Sequence, residues 1–235
     1  MIITTIPIQY IIFAKGIQPY EIQCFRGAII QQLGGEANPL LHNHKKDGLR
    51  YGYPLVQYKL QNGHPMIIAL GDAIIELNPL LALSVLPLHI GNRDVNLKFE
   101  KTECYQYKVE VKDAPKYYSI CNYIPLTESN VAKYESLLSL TDRICFLENI
   151  LIGNILSFFK GIGYHAEEKL EVAITDMKPQ KSIRYKSVNF QTFDLHFVSN
   201  VLLPDRIGLG KSTSIGFGTV IKESLPERFK KQYHE

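Results

Sequence analysis

The chain has 235 residues, enough for one large domain or two small ones, and its 46% apolar content suits packed globular structure. A net charge of +3 excludes nucleic-acid binding by overall charge alone, so any such surface must come from local clustering. Cysteines at 24, 104, 121 and 145 lack metal-ligand spacing and are expected as reduced, mostly buried thiols, in a soluble, cytoplasmic setting.

Residues 1–14 are rich in isoleucine, threonine and tyrosine and read as a strand; no basic region precedes them and Pro7 interrupts them, unlike a signal peptide. Pro19 opens a helix in which Ile22, Phe25, Ile29 and Leu33 form one apolar stripe, and Gly34-Gly35 stops it. A polar, loop-like stretch with Leu41-His42-Asn43-His44 follows. Residues 53–60 and 66–70 read as a hairpin turned at Gln61-Asn62-Gly63, because Asn-Gly favours the tight turn that joins twisted strands. Asp72 is expected to cap a helix running to about residue 86, disturbed at Pro79. Residues 104–112 alternate, with Tyr105, Tyr107, Val109 and Val111 on one side, as in a half-buried strand. The order β-α-β-β-α-β is that of a ferredoxin-like domain.

Asp113-Ala114-Pro115 is the expected boundary, giving domains 1–112 and 113–235. Beyond it, residues 117–126 read as a strand, and Ser139-x-x-Asp142 as a capping box. That box opens a helix with Ile144, Leu147, Leu151, Ile155 and Phe158 at helical spacing, ended by Gly161 and Gly163. Its apolar run, around 150–159, contains Asn154 and is too short to span a bilayer, so no membrane partner is expected. Residues 170–175, 183–200 (two strands or one bent strand) and 219–222 complete the β elements. The fold class is α+β: two tandem ferredoxin-like, RRM-like domains, the second degenerate. Tyr105, Tyr107, Phe193 and Phe197 fall at strand spacing and are expected in the core.

The stretch from Ile207 to Val220 holds Gly208, Gly210, Gly216 and Gly218 as two Gly-x-Gly pairs, with Lys211, Ser212, Thr213 and Ser214 between them. Glycine permits positive φ and close approach of another molecule, so the loop reads as a backbone cradle for an anion, with Lys211 supplying charge. A Walker A loop would need glycine where Asp205 stands, and a dinucleotide fingerprint would need one at Thr213. The plain alternative is a mobile loop between two strands. A second basic cluster, Lys178, Lys181, Arg184 and Lys186 with Tyr185, could hold phosphates and stack a base, or be a solvated hairpin face.

His42 and His44 lie in loop-like sequence, where a histidine is commonly a solvated surface residue, and they are also the leading candidates for chemistry. Cutting RNA without a metal needs a base for the 2′-hydroxyl proton and an acid for the leaving 5′-oxygen, and histidine titrates near neutrality. Lys45, Lys46 and Arg50 lie near enough in sequence to offset charge on a phosphorane. No further ligands of suitable type cluster around the histidines for a metal.

Gly-x-Gly near a chain end, followed by hydroxyl residues and Gly216-Phe217-Gly218, resembles the glycine-rich loop of the RAMP superfamily, the RNA-binding proteins of CRISPR systems. With His42-Asn43-His44 and Tyr53-Pro54-Leu55-Val56-Gln57-Tyr58-Lys59, the chain resembles the CRISPR-associated endoribonucleases that cut precursor CRISPR RNA within its repeats. The resemblance covers essentially the whole chain. It implies two tandem ferredoxin-like domains and a metal-independent cleavage leaving 2′,3′-cyclic phosphate and 5′-hydroxyl ends. It implies no cofactor, a histidine of this region as general acid or base, a lysine role for Lys45 or Lys46, and a tyrosine role for Tyr20. Implied partners are a CRISPR repeat transcript and a CRISPR effector complex, with the chain a monomer or homodimer. The alternative within the same superfamily is a non-catalytic RNA-binding subunit.

Overall fold

The computed structural model describes residues 4–14, 16–34, 44–45, 48–49, 52–178, 181–185 and 188–226. Two compact units are present: Met1–Lys108 with Lys160–Gly163 and Ser214–Gly216, and Val109–Phe159 with Tyr164–Thr213 and Phe217–Glu235.

In the first unit, β1 (Thr5–Phe13) leads through a short turn of helix at Pro19–Glu21 into α1 (Ile22–Gln32). Phe25 and Ile29 of the apolar stripe are fully buried, and Gly34 beyond the helix end has φ +94. The small pair β2 (His44–Lys45) and β3 (Gly48–Leu49) precedes the hairpin of β4 (Val56–Gln61) and β5 (His64–Leu70). Asn62 and Gly63 both have positive φ, 51 and 85, as a tight primed turn requires.

The helix expected from Asp72 to about 86 is not formed. A 3-10 segment (Gly71–Leu77) gives way to the single helical turn α2 (Asn78–Leu81), and β6 (Val85–Ile90) then pairs with the long β7 (Arg93–Lys108). Pro79 cannot donate to a preceding carbonyl, and no side chain caps the segment. The period-two alternation of Leu86, Leu88 and Ile90 buries these residues on one side of a strand.

The sheet order is β4-β5-β1-β7-β6, with antiparallel pairings: the ferredoxin-like order of second, third, first and fourth strands, extended by β6. Its core gathers Ile11, Phe13, Phe25, Ile29, Tyr58 and Ile67 between sheet and α1, with Ala73, Leu77 and Leu80 of the crossover.

The second unit opens with β8 (Val111–Tyr123), so Asp113-Ala114-Pro115 lies inside a strand. Helices α3 (Val131–Ser136) and α4 (Leu140–Gly161) follow, and the Ser139 Oγ accepts the Asp142 amide at 3.0 Å, closing the first turn of α4. By length and hydropathy α4 could cross a membrane, its most apolar window having a mean hydropathy of 1.3. Here Leu147, Leu151, Ile155, Phe158 and Phe159 are buried along one stripe, and Glu148 accepts the Ile174 amide of β9 at 2.9 Å. Strands β9 (Val172–Met177), β10 (Lys181–Tyr185), β11 (Val188–Val201) and β12 (Thr219–Glu223) complete the unit.

Both β9 and β10 pair antiparallel with β11, which pairs with β8, and β8 with β12. The order β9-β11-β8-β12 repeats that of the first sheet. In place of a second helix, a glycine-rich segment joins β11 to β12, which is the sense in which this ferredoxin-like unit is degenerate. Phe193, Phe197 and Tyr107 are core residues, whereas Tyr105 is 42% exposed and stacks on Tyr10. The thiols are free but not mostly buried: Cys24, Cys104 and Cys145 are exposed and Cys121 is half-buried, because three of the four occupy solvent-facing positions of amphipathic elements.

Candidate functional site

The glycine-rich segment is pinned where it begins. Tyr118, fully buried in β8, donates its hydroxyl to Val201 O at 3.0 Å and accepts the Leu203 amide at 2.9 Å; burial pushes its phenol up to about 12. The chain then runs back along β12: the Arg206 amide reaches Val220 O at 2.7 Å, the Val220 amide Ile207 O at 2.9 Å, and the Leu209 amide Gly218 O at 2.8 Å. Ile207 and Leu209 are fully buried.

At the tip, the end of β8 serves as a platform. The Lys211 amide donates to Ile124 O at 3.0 Å and the Gly218 amide to Asn122 O at 3.1 Å. Gly210 (φ +91) lies so close to this platform that a Cβ would fall 2.7 Å from the Tyr123 ring and 2.9 Å from Ile124 O. Gly218 (φ +58) leaves no room for a Cβ beside the Leu209 carbonyl. Tyr123 is held in turn by Asn154 of α4, whose amide donates to its hydroxyl at 2.6 Å.

The sequence suggests either an anion cradle or a mobile loop between strands at these glycines. The structure gives Gly210 and Gly218 first to packing, and several of the loop's own amides to the chain. What the loop presents outward is Lys211, exposed and lying 4.8 Å over the Phe190 ring, followed by half-buried Ser212 (φ +60) and the buried Thr213. Gly208 bridges to Thr219. An ammonium on a rigid backbone shelf, next to a hydroxyl, can hold an anionic oxygen.

Of the second basic cluster, Lys181 is 62% exposed and bonded at 3.0 Å to Asp194, and Lys178 is exposed. Arg184 stands in β10 opposite Asn189, and Lys186 lies outside the described residues. Asp194 joins this cluster in the structure, bonded to Lys181. Burial acts to raise its carboxyl, but the Asn122 amide and Lys181 hold it below the usual carboxylate range. Its sequence signal is slight: in the alternating run Phe193-Asp194-Leu195 it falls on the strand face opposite the two apolar residues.

In the first unit, His44 and Lys45 form β2, with His44 opposite Leu49 and Lys45 opposite Gly48. His42 and Lys46 lie outside the described residues. Tyr20 is 81% exposed and lines a surface depression of about 540 Å³ with Gly16, Gln18, Gly63 and Arg93. Arg93 is clamped on the buried Glu21, Nε to Oε1 at 2.9 Å and Nη2 to Oε2 at 2.7 Å, which holds that carboxyl below its ordinary range.

The Tyr53–Lys59 stretch is a buried polar set. Gln57 is fully buried and donates to the Tyr53 hydroxyl at 2.9 Å and Pro54 O at 3.1 Å. Lys59 is only 2% exposed, and desolvation pushes its amine down to about 7. The sequence predicts a strand here, and nothing in its pattern marks the lysine as buried.

Two ferredoxin-like units, the second with its helix replaced by a packed glycine-rich loop, match the RAMP-type arrangement that the resemblance implies. The Cas6b N-terminal domain model matches residues 1–109 and the Cas6b C-terminal domain model residues 110–223. The chain belongs to the Cas6b family. A solved structure described as Cas6b is 27% identical, with a TM-score of 0.82 over 94% of this chain and 100% of that one. Another, described as the CRISPR RNA processing endoribonuclease Cas6b, is 25% identical with a TM-score of 0.70 over 94% and 100%. An uncharacterised protein of Methanocaldococcus jannaschii is 33% identical over 138 residues, 55% of this chain and 92% of its own length.

Proposed function

We propose that this chain is an endoribonuclease that cleaves precursor CRISPR RNA within its repeats, needing no metal ion and leaving 2′,3′-cyclic phosphate and 5′-hydroxyl ends. The observation that carries this reading is the match of both halves to Cas6b domains, together with a solved relative named as a CRISPR RNA processing endoribonuclease. In this mechanism the 2′-hydroxyl attacks the adjacent phosphorus and the bond to the 5′-oxygen breaks. His42 or His44 takes the 2′ proton or supplies one to the leaving oxygen. Lys45 or Lys46 offsets charge on the phosphorane, and Tyr20 is a candidate partner of the histidine. Lys211 and Ser212 hold the RNA backbone, with Arg184, Lys186 and the Asp194-bonded Lys181 as further candidates. The partners are the repeat transcript and a CRISPR effector complex, with the chain acting as a monomer or homodimer.

The test is cleavage of a repeat-containing RNA in EDTA by the wild type, His42→Ala and His44→Ala. Cutting at one site with cyclic-phosphate ends, lost in either variant while RNA binding persists, is the expected result. Tight binding without cutting by any form would favour a non-catalytic RNA-binding subunit. Activity lost only in EDTA would overturn the metal-free mechanism.

A further inference from the structure

The platform under the glycine loop contains a defect, and a carboxylate stabilises it. Phe193 pairs with Tyr123 and Leu195 with Ile120, so two steps along β11 span three along β8. The extra β8 residue is accommodated at Asn122, which has φ +50. An amide in such a bulge leaves the strand ladder and needs another acceptor. Asp194 provides it: Oδ1 accepts the Asn122 amide at 2.8 Å. The carbonyl of Asn122 then receives the Gly218 amide at 3.1 Å, and two residues on, the carbonyl of Ile124 receives the Lys211 amide at 3.0 Å. Both flanks of the loop thus rest on the segment that Asp194 fixes. The other carboxylate oxygen, Oδ2, takes the Lys181 ammonium at 3.0 Å.

The geometry points to Asp194 as a positioning residue for RNA binding, with two opposed effects: it fixes the bulge that carries the glycine loop, and it holds Lys181 back from phosphate. This rests on the RNA-binding reading above. A carboxylate within a basic surface repels a polyanion, and the bulge is the physical reason for it to be there.

The two effects separate by substitution. Asp194→Asn keeps an oxygen for the Asn122 amide and removes the charge that restrains Lys181. RNA affinity should rise about fivefold at low salt, and the log–log salt slope should steepen by about 0.7, the value of one more phosphate contact on a single strand. Asp194→Ala removes the acceptor and should weaken RNA binding about tenfold. In a Lys181→Met background, Asp194→Asn should give no gain. Amide exchange gives a readout without RNA: Asn122 and Gly218 should exchange about tenfold faster in Asp194→Ala, at a temperature where it remains folded, and as in wild type in Asp194→Asn.

A purely structural aspartate would leave Asp194→Asn binding RNA as wild type while Asp194→Ala binds more weakly, and that result would overturn the restraint on Lys181. Unchanged exchange at Gly218 in Asp194→Ala would overturn the bulge half of it. A wild type that binds no RNA would overturn the function itself and with it the restraint on Lys181, while the exchange rates would still pass or fail the bulge.

Discussion

The two units share a strand order and differ in the segment that crosses from the third strand to the fourth. In the first unit, residues 71–81 cross as 3-10 and helical turns and bury Ala73, Leu77 and Leu80 in the core. Between β11 and β12, residues 202–218 cross mostly as a loop, with one 3-10 turn at Thr213–Ile215, and bury Ile207, Leu209 and Thr213. A helix satisfies its own backbone groups, whereas a loop must find partners elsewhere. Here it finds them on β12 and on the end of β8, and the resulting shelf carries Lys211 outward. A docked loop in place of a helix leaves an exposed lysine on what is otherwise a packing element.

The sharpest break of this comparison uses two glycines with almost the same backbone, Gly218 at φ +58 and Gly71 at φ +59. A Cβ at Gly71 meets nothing within 4 Å, while one at Gly218 collides with the Leu209 carbonyl. Gly71→Ala should therefore cost about 1–2 kcal/mol, the left-handed penalty alone. Gly218→Ala should cost about 2–5 kcal/mol, with overpacking added, and should also reduce RNA affinity. Urea unfolding of both variants checks the difference, and equal costs would mean that the loop is not rigidly docked.

Lys59 distinguishes the first unit by pH. Its folded pKa, about 7, lies below its unfolded value, so the unfolded chain binds the extra proton between about 7 and 10.5. The penalty for burying the charge is present below pH 7 and is relieved as pH rises. Stability of the wild type relative to Lys59→Met should rise by up to about 1.4 kcal/mol per pH unit across that window. Urea midpoints of both proteins at pH 7 and 9.5 measure it; parallel profiles would show that the amine titrates normally.

Smaller effects belong to the second unit's surface. Lys211→Ala should weaken RNA binding and flatten the log–log salt slope by about 0.7, with little change in unfolding midpoint. Ser139→Ala removes the α4 cap and should cost about 1 kcal/mol, measured by thermal unfolding, without altering RNA affinity. An RNA effect of the cap as large as that of Lys211 would argue that the shelf is not the contact surface.

Local signals in the sequence determined a good part of this. The Asn62-Gly63 turn follows from the positive φ that a tight hairpin demands, and α1 and α4 follow from apolar residues at helical spacing, since an isolated stripe must find a core. The glycine-rich loop and its lysine were legible too, because few residues other than glycine tolerate positive φ. Other features needed the tertiary structure. β6 was hidden beneath an expected helix, as three alternating apolar residues do not outweigh a capping aspartate until a partner strand is in place. That Gly210 and Gly218 serve packing depends on Tyr123 and Leu209 lying against them. Lys59 became a buried base, and Asp194 the acceptor of a bulged amide 72 residues away, only when strands distant in sequence were brought together. Spacing reports which backbone a segment prefers; the solvent a side chain loses, and the partner it gains, are set by the other strands of its sheet.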